Sequence, residues 1–232
     1  MLKKSPLLSI IVPAYNEELL LPEFLREVCL CMEKSALGHE IIIIENGSED
    51  RTLEIAKNFS TKNSNIVVEH LNKPGYGQAL IRGIKLAKGK YILIYNVDFW
   101  DKKFIDLVKV DLLGYDIVVG SKSLPGSSDK RSFLRRFITK ITNFLLKLLL
   151  GFSGTDTHGI KVFSTDKIIP VLRKCKTRTG IFDSELLIRA ERMGLKILEL
   201  PVSLVEKRPN RFGIKRIIET PKDFWQLYQV LQ

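Results

Sequence analysis

The chain has 232 residues, of which 45% are hydrophobic and 27% are charged. This balance supports one sizeable domain with a real core and excludes a disordered, collagen-like or low-complexity protein. The 37 Lys and Arg residues exceed the 26 Asp and Glu residues by 11, which favours an anionic partner such as a phosphorylated molecule or an acidic membrane. No nucleic-acid-binding motif accompanies the charge, so we expect no nucleic acid among the partners.

The cysteines and the hydropathy pattern predict a cytoplasmic protein. Cys29, Cys31 and Cys175 form no Cys-x-x-Cys pair, and their odd number leaves one thiol out of any disulfide, which is typical of a reducing compartment. No apolar stretch approaches the roughly 20 residues needed to cross a bilayer. The N-terminal residues also lack the apolar segment and the cleavage site of a signal peptide.

Short apolar runs alternate with helical patterns over the first half of the chain. We predict strands over residues 7–12, 41–44, 66–69, 90–95 and 116–120, and helices over 17–36 and 78–87. Another helix follows Ser48 or Asp50, either of which is suited to cap it. This alternation predicts right-handed crossovers and a mainly parallel sheet. Ligands of such sheets bind at the carboxyl ends of the strands, so we expect the site in residues 13–17, 45–50 and 96–101.

A long helix is predicted over residues 130–151. One stripe of its surface carries Phe133, Phe137, Ile141, Phe144 and Leu148, and residues 122–151 contain seven Lys or Arg residues against one acid, Asp129. Such a stripe normally packs on its own domain, but a basic amphipathic helix is also suited to a membrane interface. Because this stripe is wide, we expect part of it to face the core and part to face lipid.

Several segments, in order, resemble family 2 glycosyltransferases of the GT-A fold. They are residues 8–18, 44–50, 72–79, 87–92 and 96–98 in the first half, and 119–122, 156–163, 182–185 and 199–201 in the second. The later segments are similar to the dolichol-phosphate mannose and glucose synthase branch. The resemblance implies a single α/β domain of the GT-A (Rossmann-like) type over residues 1–232. Residues 1–121 would be its nucleotide-sugar-binding half and residues 122–232 its acceptor-binding half.

The resemblance implies a nucleotide pocket formed by Pro13, Tyr15, Glu17, Glu45 and Asn46. The carboxylates of Glu17 and Glu45 are suited to accept hydrogen bonds from a base N–H group or from ribose hydroxyls, while Tyr15 would border the base. A simpler reading is open for Glu17, because an acid in the first turn of a helix is favoured by the helix dipole.

Asn96-Val97-Asp98 occupies the place of the family's metal-binding Asp-x-Asp motif. The resemblance implies that Asp98 and Asn96 bind Mg²⁺ or Mn²⁺ at the donor diphosphate, where the cation would neutralise the leaving group. An amide oxygen at position 96 contributes no charge, so we expect weaker metal binding than with two acids. Asp101, three residues beyond Asp98, is an additional candidate ligand.

The acceptor side is basic. Lys122 stands where relatives carry an Arg, and Arg135 and Thr139, four apart on one helix face, match the family's contact to the acceptor phosphate. Arg136 is not separable from Arg135 by sequence. A phosphate oxyanion needs no strong general base but does need cations that position it. The alternative is that these charges form an ordinary solvated helix face.

Further candidates come from the second half of the chain. Residues 207–216 resemble a loop that closes over the diphosphate, with Arg208, Arg211 and Lys215 as candidate phosphate contacts. Asp156 opens a segment that borders donor and acceptor in relatives. Asp183 and Glu185 begin a helix and either cap it or orient the sugar. His39, His70 and His158 show no metal-binding spacing.

We therefore predict an inverting enzyme that transfers a sugar from a GDP- or UDP-sugar to a polyprenyl (dolichyl-type) phosphate. It would act as a peripheral protein at the cytoplasmic face of the membrane, held there directly or by a membrane partner protein. One alternative is a relative that extends a glycan, which needs a carboxylate base such as Asp156 or Asp183. Another is a non-catalytic nucleotide-sugar-binding protein, suggested by Asn96 and Trp100.

Overall fold

The structure, a computed structural model, describes residues 5–129, 133–204 and 214–232. Its strands are β1 (Leu8–Ala14), β2 (His39–Glu45), β3 (Ile66–His70), β4 (Tyr91–Ile94), β5 (Ile117–Ser121), β6 (Ser128–Asp129), β7 (Lys161–Ser164), β8 (Ile197–Pro201) and β9 (Ser203–Leu204). Its α-helices are α1 (Leu21–Ser35), α2 (Thr52–Lys62), α3 (Tyr76–Leu86), α4 (Lys102–Lys109), α5 (Phe133–Leu150), α6 (Thr165–Lys174), α7 (Phe182–Arg192) and α8 (Ile214–Leu231).

Seven strands form the central sheet in the order β3-β2-β1-β4-β7-β5-β8. The pairs β1–β2, β1–β4, β2–β3 and β5–β8 are parallel, whereas β7 runs antiparallel to both β4 and β5. The predicted mainly parallel sheet flanked by helices is therefore confirmed. The short strands β6 and β9 pair with each other outside this sheet.

Both faces of the sheet are covered, which explains why its inner strands are continuous apolar runs. Alternate residues of one strand enter different cores: Ile10 and Val12 face the side of α1 and α4, while Ile11 faces the side of α3 and α7. All three side chains are fully buried. The strands are thus fixed from both sides, and their carboxyl ends form a rigid base for loops.

The first helix begins later than predicted. Residues from Glu17 to Leu20 form a turn instead, in which the carbonyl of Glu17 accepts hydrogen bonds from the amides of Leu20 and Leu21. Pro22 lies in the first turn of α1, as expected. The amide of Glu17 is used elsewhere, because it donates to the hydroxyl of Thr52 at 2.7 Å.

The antiparallel strand β7 brings a distant segment to the carboxyl edge of the sheet. Its first residue, Lys161, pairs in register with Ile94 at the end of β4 and with Val119 in β5. Residues 156–160, which precede it, therefore lie beside the segments that follow β4 and β5. This arrangement joins the two halves of the chain at one edge.

No helix in the part of the chain that the structure describes combines the length and the apolar character needed to span a bilayer.

Candidate functional site

The loops after β1 and β2 are joined into one unit by side-chain hydrogen bonds. Four of them cross between the loops: Asn16 N to Ser48 Oγ (3.0 Å), Glu17 N to Thr52 Oγ1 (2.7 Å), Glu18 N to Asp50 Oδ2 (3.1 Å) and Glu49 N to Asn16 Oδ1 (2.9 Å). Asn16 has a positive φ of 54°, a conformation that Asn tolerates better than most residues. Ser48 and Asp50, either of which was predicted to cap the next helix, both take part in this junction, and the N-cap position of α2 is held by Arg51.

Asp50 is held ionised in this junction. Burial opposes its ionisation, but hydrogen bonds from the hydroxyl and amide of Thr52 and from the amide of Glu18 lower the pKa of the carboxyl below its usual value. Its Oδ1 atom lies 2.9 Å from the amide of Thr52, the first residue of α2. Asp50 therefore satisfies a free N–H group at the start of α2, close to the role predicted for it.

Glu45 and Asn46 connect the end of β2 to the segment before α3. Glu45 is fully buried, accepts a hydrogen bond from the amide of Ser48 at 2.6 Å and contacts the Nδ1 atom of His70. Asn46 accepts one from the amide of Gly75 at 2.8 Å. The structure thus places both predicted nucleotide contacts at the carboxyl edge and shows that they also hold neighbouring loops.

Gly47 is required where it stands. Its φ is +71°, and a Cβ atom there would lie 3.1 Å from the backbone of Lys73 and Pro74. A side chain would therefore combine backbone strain with a steric clash. The other three predicted nucleotide contacts differ in their exposure to solvent. Tyr15 is 41% exposed and Pro13 is partly exposed, whereas Glu17 is buried.

The Asn96-Val97-Asp98 segment follows β4 at the same edge. Val97 is buried in the core, while Asn96 and Asp98 on either side of it are partly exposed. The amide of Phe99 donates to the carbonyl of Asn96 at 3.0 Å, which closes a tight turn. The buried side chain of Val97 therefore holds the turn against the core, and the two candidate metal ligands stay partly exposed.

Two neighbours of this turn have structural roles. The indole N–H of Trp100 donates to Glu27 at 3.0 Å, and the Trp100 ring packs 6.1 Å from that of Tyr95. Asp101 caps α4 by accepting a hydrogen bond from the amide of Lys103 at 2.9 Å. Asp101, proposed above as an additional metal ligand, thus has one carboxylate oxygen engaged in a helix cap.

The donor set fits a cation that arrives with a diphosphate. Among the described residues, no three His, Cys, Asp or Glu side chains are grouped to hold a metal ion. Asp98 and Asn96 supply one carboxylate and one amide oxygen. Mg²⁺ is commonly bound by one or two carboxylates with substrate phosphates and water completing its shell, and Mn²⁺ takes similar oxygen ligands.

Lys122 and Asp156 form a buried ion pair at this edge. The Nζ atom of Lys122 lies 3.0 Å from Oδ2 of Asp156, with side chains 8% and 2% exposed. The amides of Lys122 and His158 also donate to this carboxylate, at 3.1 and 3.0 Å. Burial opposes ionisation of Asp156, but the Lys122 ammonium and these hydrogen bonds lower its pKa below the usual value.

Glu199 supports the segment that carries Asp156, a role that the sequence reasoning missed. Its carboxylate accepts hydrogen bonds from the amide and the hydroxyl of Thr155, both at 2.8 Å, and from the amide of Asp156 at 3.2 Å. The signal was present, since Glu199 is an acid within an apolar strand and belongs to a segment that carried the resemblance.

Asp183 forms a second buried ion pair, with Lys161. Both side chains are fully buried, and Nζ of Lys161 lies 3.1 Å from Oδ2 of Asp183. The hydroxyl of Tyr76 donates to the same oxygen at 3.1 Å. Lys161 was not predicted as a site residue, although a lysine inside an apolar strand is unusual enough to indicate a buried partner.

Glu185 holds the segment before α7 rather than facing the site. It accepts hydrogen bonds from the amides of Lys176 and Thr177 at 2.9 and 2.7 Å and from Nε of Arg189 at 2.7 Å. Burial opposes its ionisation, but these hydrogen bonds and that of the Thr177 hydroxyl lower its pKa. The N-cap of α7 is Ile181, which makes no side-chain cap, so neither predicted capping acid occupies that position.

The long helix α5 exposes most of the stripe predicted from its sequence. Phe144 and Leu148 are 63% and 65% exposed, and Phe137 and Ile141 are also exposed, whereas Leu146 and Leu150 make the core contacts. The reading in which this stripe simply packs on the domain is therefore wrong for these four residues. Lys140 and Lys147 are exposed on the same helix.

The remaining predicted phosphate contacts are only partly described. Arg135 and Arg136 lie within α5, but their side chains are outside the described residues, whereas Thr139 is partly exposed. Arg208 and Arg211 lie outside the described residues, and for Lys215 the structure describes only its place in α8.

Comparisons with known proteins agree with this architecture. Residues 9–168 match the sequence model of Glycosyl transferase family 2. Dolichyl-phosphate beta-glucosyltransferase ALG5D of Trichomonas vaginalis is 30% identical over 241 residues, which cover 94% of this chain and 72% of that protein. The dolichyl-phosphate beta-glucosyltransferase of Dictyostelium discoideum is 33% identical, over 86% of this chain and 66% of its own length.

A solved structure shares the fold. Glucosyl-3-phosphoglycerate synthase from Mycobacterium tuberculosis, in complex with Mn²⁺, UDP-glucose and phosphoglyceric acid, aligns with a TM-score of 0.67 at 17% sequence identity. The alignment covers 97% of this chain and 80% of that one. Together with the central sheet, this likeness confirms the GT-A architecture predicted from the sequence.

Proposed function

We propose that this chain, which belongs to glycosyl transferase family 2 and is a glycosyltransferase, transfers a hexose from a nucleotide diphosphate sugar to a polyprenyl phosphate with inversion. The first hexose to test is glucose, because both curated relatives named above are dolichyl-phosphate beta-glucosyltransferases. UDP-glucose and GDP-mannose are the donors to compare, since the residues proposed for the nucleotide pocket do not identify the base.

The observation that carries the choice of acceptor is the state of Asp156. A glycan acceptor needs a carboxylate free to take a proton from a hydroxyl, but Asp156 is paired with Lys122 and its pKa is lowered. The other candidate base, Asp183, is fully buried against Lys161. Because a phosphate acceptor is already ionised, it needs no such base, and the arrangement favours it.

The donor would lie along the ends of β1, β2 and β4. Glu17, Glu45 and Asn46 would lie beside the base and ribose, and Tyr15 and Pro13 would border them. The hydrogen bonds that join the two loops keep these groups in place before the donor arrives, which reduces the entropy lost on binding.

Asp98 and Asn96 would hold a divalent cation, Mg²⁺ or Mn²⁺, at the donor diphosphate. Bound there, the cation supplies positive charge that stabilises the departing nucleotide diphosphate. Asp98 contributes the negative charge that retains the cation. Asn96 contributes a neutral oxygen, so cation binding should depend strongly on the diphosphate itself.

In the proposed reaction an oxygen of the acceptor phosphate forms a bond to the anomeric carbon while the bond from that carbon to the donor diphosphate breaks. The electron pair leaves with the nucleotide diphosphate, and the sugar configuration inverts. No proton has to be removed from the nucleophile. Arg135, Arg136, Thr139 and Lys122 would position the acceptor phosphate, and Arg208, Arg211 and Lys215 would contact the donor phosphates.

The exposed apolar stripe of α5 would lie at the membrane surface. The polyprenyl chain of the acceptor is confined to lipid, so the enzyme must reach a membrane from the cytoplasmic side, where the donor is available. Phe144 and Leu148 are suited to enter the interfacial region, and Lys140 and Lys147 to attract anionic headgroups. A membrane partner protein is the alternative means of attachment.

A radiolabelled transfer assay tests this proposal. The full chain is incubated with UDP-glucose or GDP-mannose, polyprenyl phosphate in detergent, and Mg²⁺ or Mn²⁺. We expect label to enter the lipid phase with one donor and to be lost in Asp98→Ala. Binding of the donor without transfer to lipid phosphate would reject the acceptor, and transfer to an added glycan would replace it.

A further inference from the structure

The buried carboxylate of Asp183 has one oxygen without a hydrogen-bond partner. Oδ2 receives the Lys161 ammonium and the Tyr76 hydroxyl, both at 3.1 Å. Oδ1 is equally shielded from solvent, yet none of the residues that the structure describes donates a hydrogen bond to it. Buried polar atoms are nearly always paired, because an unpaired one loses its hydration without compensation.

The partner missing from Oδ1 must be a hydrogen-bond donor. A carboxylate oxygen only accepts, and Lys161 already supplies the opposite charge. Nζ of Lys161 is itself held by the carbonyl of Gly159 at 2.8 Å. A neutral hydroxyl or N–H group would therefore complete this cluster, whereas a second cation would add uncompensated charge.

The unpaired oxygen belongs to the carboxyl edge of the sheet. Lys161 is in register with Ile94, and the chain continues from Ile94 into the turn that carries Asn96 and Asp98. Tyr76, which contacts Asp183, follows Gly75, the partner of Asn46 in the nucleotide half. Asp183 is thus linked through Lys161 to the strand pair that ends at Ile94 and through Tyr76 to the start of α3.

Residues that are partly or fully exposed neighbour this carboxylate. Tyr76 is only partly exposed, but the neighbouring His158 and Gly180 are exposed and contact each other, with His158 Nε2 3.2 Å from the Gly180 carbonyl. A Cβ atom built on Gly180 would meet nothing within 4 Å. The carboxylate therefore lies close to residues at the protein surface.

We infer that Oδ1 of Asp183 accepts a hydrogen bond from a hydroxyl of the transferred sugar, and that Lys161 is the positioning residue that holds the carboxylate for it. The inference rests on the proposed function in so far as the ligand is a nucleotide sugar. It makes this pair a determinant of sugar selectivity, because a sugar without that hydroxyl leaves the oxygen unpaired.

Donor binding measured without any acceptor tests the inference. Isothermal titration calorimetry compares UDP, UDP-glucose and the deoxy-glucose analogues, or the GDP-mannose equivalents if the wild type prefers that donor. We expect one deoxy analogue to bind the wild type about tenfold more weakly, the usual size of a hydrogen bond to a charged group. The other analogues should bind nearly as well as the natural donor.

The matched variant is Lys161→Met/Asp183→Leu, which removes both charges and leaves neither buried alone. We expect it to bind the natural donor about tenfold more weakly, to show no further loss with the sensitive analogue, and to bind UDP unchanged. Equal losses on every analogue, or full donor affinity in the variant, would overturn the inference. A loss that extends to UDP would assign the oxygen to ribose instead and overturn it too.

The single variant Lys161→Met separates positioning from support of the fold. If Lys161 positions the carboxylate, this variant loses the selectivity between the natural donor and the sensitive analogue while still binding UDP. If the pair only supports the fold, Lys161→Met is less stable than the wild type, and the double variant regains the wild-type midpoint of urea denaturation. The double variant then also keeps the wild-type preference for the natural donor over the sensitive analogue, and this result overturns the inference. Donor binding without transfer to lipid would reject the proposed function alone, whereas absence of any nucleotide-sugar binding would reject both.

Discussion

The ammonium of Lys122 lies 3.0 Å from the carboxylate of Asp156, and both side chains are almost fully buried. The pair joins the end of β5 to the segment before β7, so it fixes these two parts of the carboxyl edge relative to each other. The Lys122 ammonium and the hydrogen bonds to Asp156 lower the pKa of the carboxyl, which makes it a weaker proton acceptor. In the proposed function, this pairing favours a nucleophile that is already ionised before it binds.

Removal of Lys122 alone should destabilise the protein strongly. Lys122→Met leaves the Asp156 carboxylate buried without its cation, which costs about 3–5 kcal/mol in the free energy of unfolding. Urea denaturation measures this change. The double variant Lys122→Met/Asp156→Asn is the control, and we expect it to recover most of the loss. A single variant as stable as the wild type would show that the pair is not formed.

Acid should weaken the fold through Asp156. The pKa of this carboxyl is lowered in the folded protein, so its stabilising contribution is complete above the pKa of the unfolded state and is lost as the pH falls through the folded pKa. We expect the free energy of unfolding to decline below about pH 5.

Urea denaturation from pH 7 to about pH 3 measures this decline. Lys122→Met/Asp156→Asn should decline less steeply, and the remaining slope should come from Asp50, Asp106 and Glu185, whose pKa values are lowered as well. Identical slopes in the two proteins would contradict the assignment to Asp156.

Gly47→Ala should disturb the nucleotide loops. Gly47 has a positive φ, and a Cβ atom there would lie 3.1 Å from neighbouring backbone atoms. We expect the variant to lose about 1–3 kcal/mol in the free energy of unfolding and to bind the nucleotide more weakly. Gly38→Ala is the matched control, because a Cβ there meets only ordinary contacts at 3.8 Å. Denaturation and calorimetry with UDP compare the two, and equal behaviour would contradict the prediction.

Asn96→Asp should strengthen metal binding. A second carboxylate adds charge where the chain now offers an amide, so we expect the Mn²⁺ concentration for half-maximal transfer to fall by about tenfold, the effect of roughly 1.4 kcal/mol in binding. Asp101→Asn is the comparison, because Asp101 caps α4. It should keep the cap, because Asn caps a helix about as well as Asp, and leave the Mn²⁺ requirement unchanged. If only Asp101→Asn changed the Mn²⁺ concentration for half-maximal transfer, Asp101 would replace Asn96 as the metal ligand.

The exposed stripe of α5 should govern attachment to membranes. Phe144→Ser/Leu148→Ser removes two large exposed side chains, and we expect binding to vesicles containing anionic lipid to weaken by more than about tenfold, since each buried side chain contributes about 1.5–3 kcal/mol. Leu30→Ser, an exposed leucine on α1, is the control. Cosedimentation measures binding, and equal losses in both variants would refute a specific role for α5.

The strands of the first half were predictable because both faces of the sheet are covered, which makes each strand a run of apolar residues such as 41–44. The first helix was placed too early at its start. Glu17 is an acid, a residue type that is favoured in the first turn of a helix. Its amide, however, donates a hydrogen bond to Thr52, which is distant in sequence. Only the tertiary structure reveals such a competing partner.

The second half was harder to predict for a related reason. Lys161 interrupts the apolar pattern of β7, and its partner Asp183 lies in a different element. The resemblance identified Asp156, Asp183 and Lys122 as candidates, but not that each carboxylate is already paired with an ammonium group. Which face of α5 enters the core was also not visible, because Leu146 and Leu150 lie beside the more conspicuous phenylalanine stripe.

The most direct test of the central claim compares two acceptors that differ only in the phosphate. The purified chain of 232 residues is given a donor radiolabelled in its sugar, with polyprenyl phosphate or with the corresponding polyprenol, in the same detergent and with Mn²⁺. If the ionised phosphate is the nucleophile, label enters the lipid phase only with polyprenyl phosphate. Transfer to the polyprenol at a similar rate would contradict the account, because it would require a base that the paired Asp156 and Asp183 do not provide.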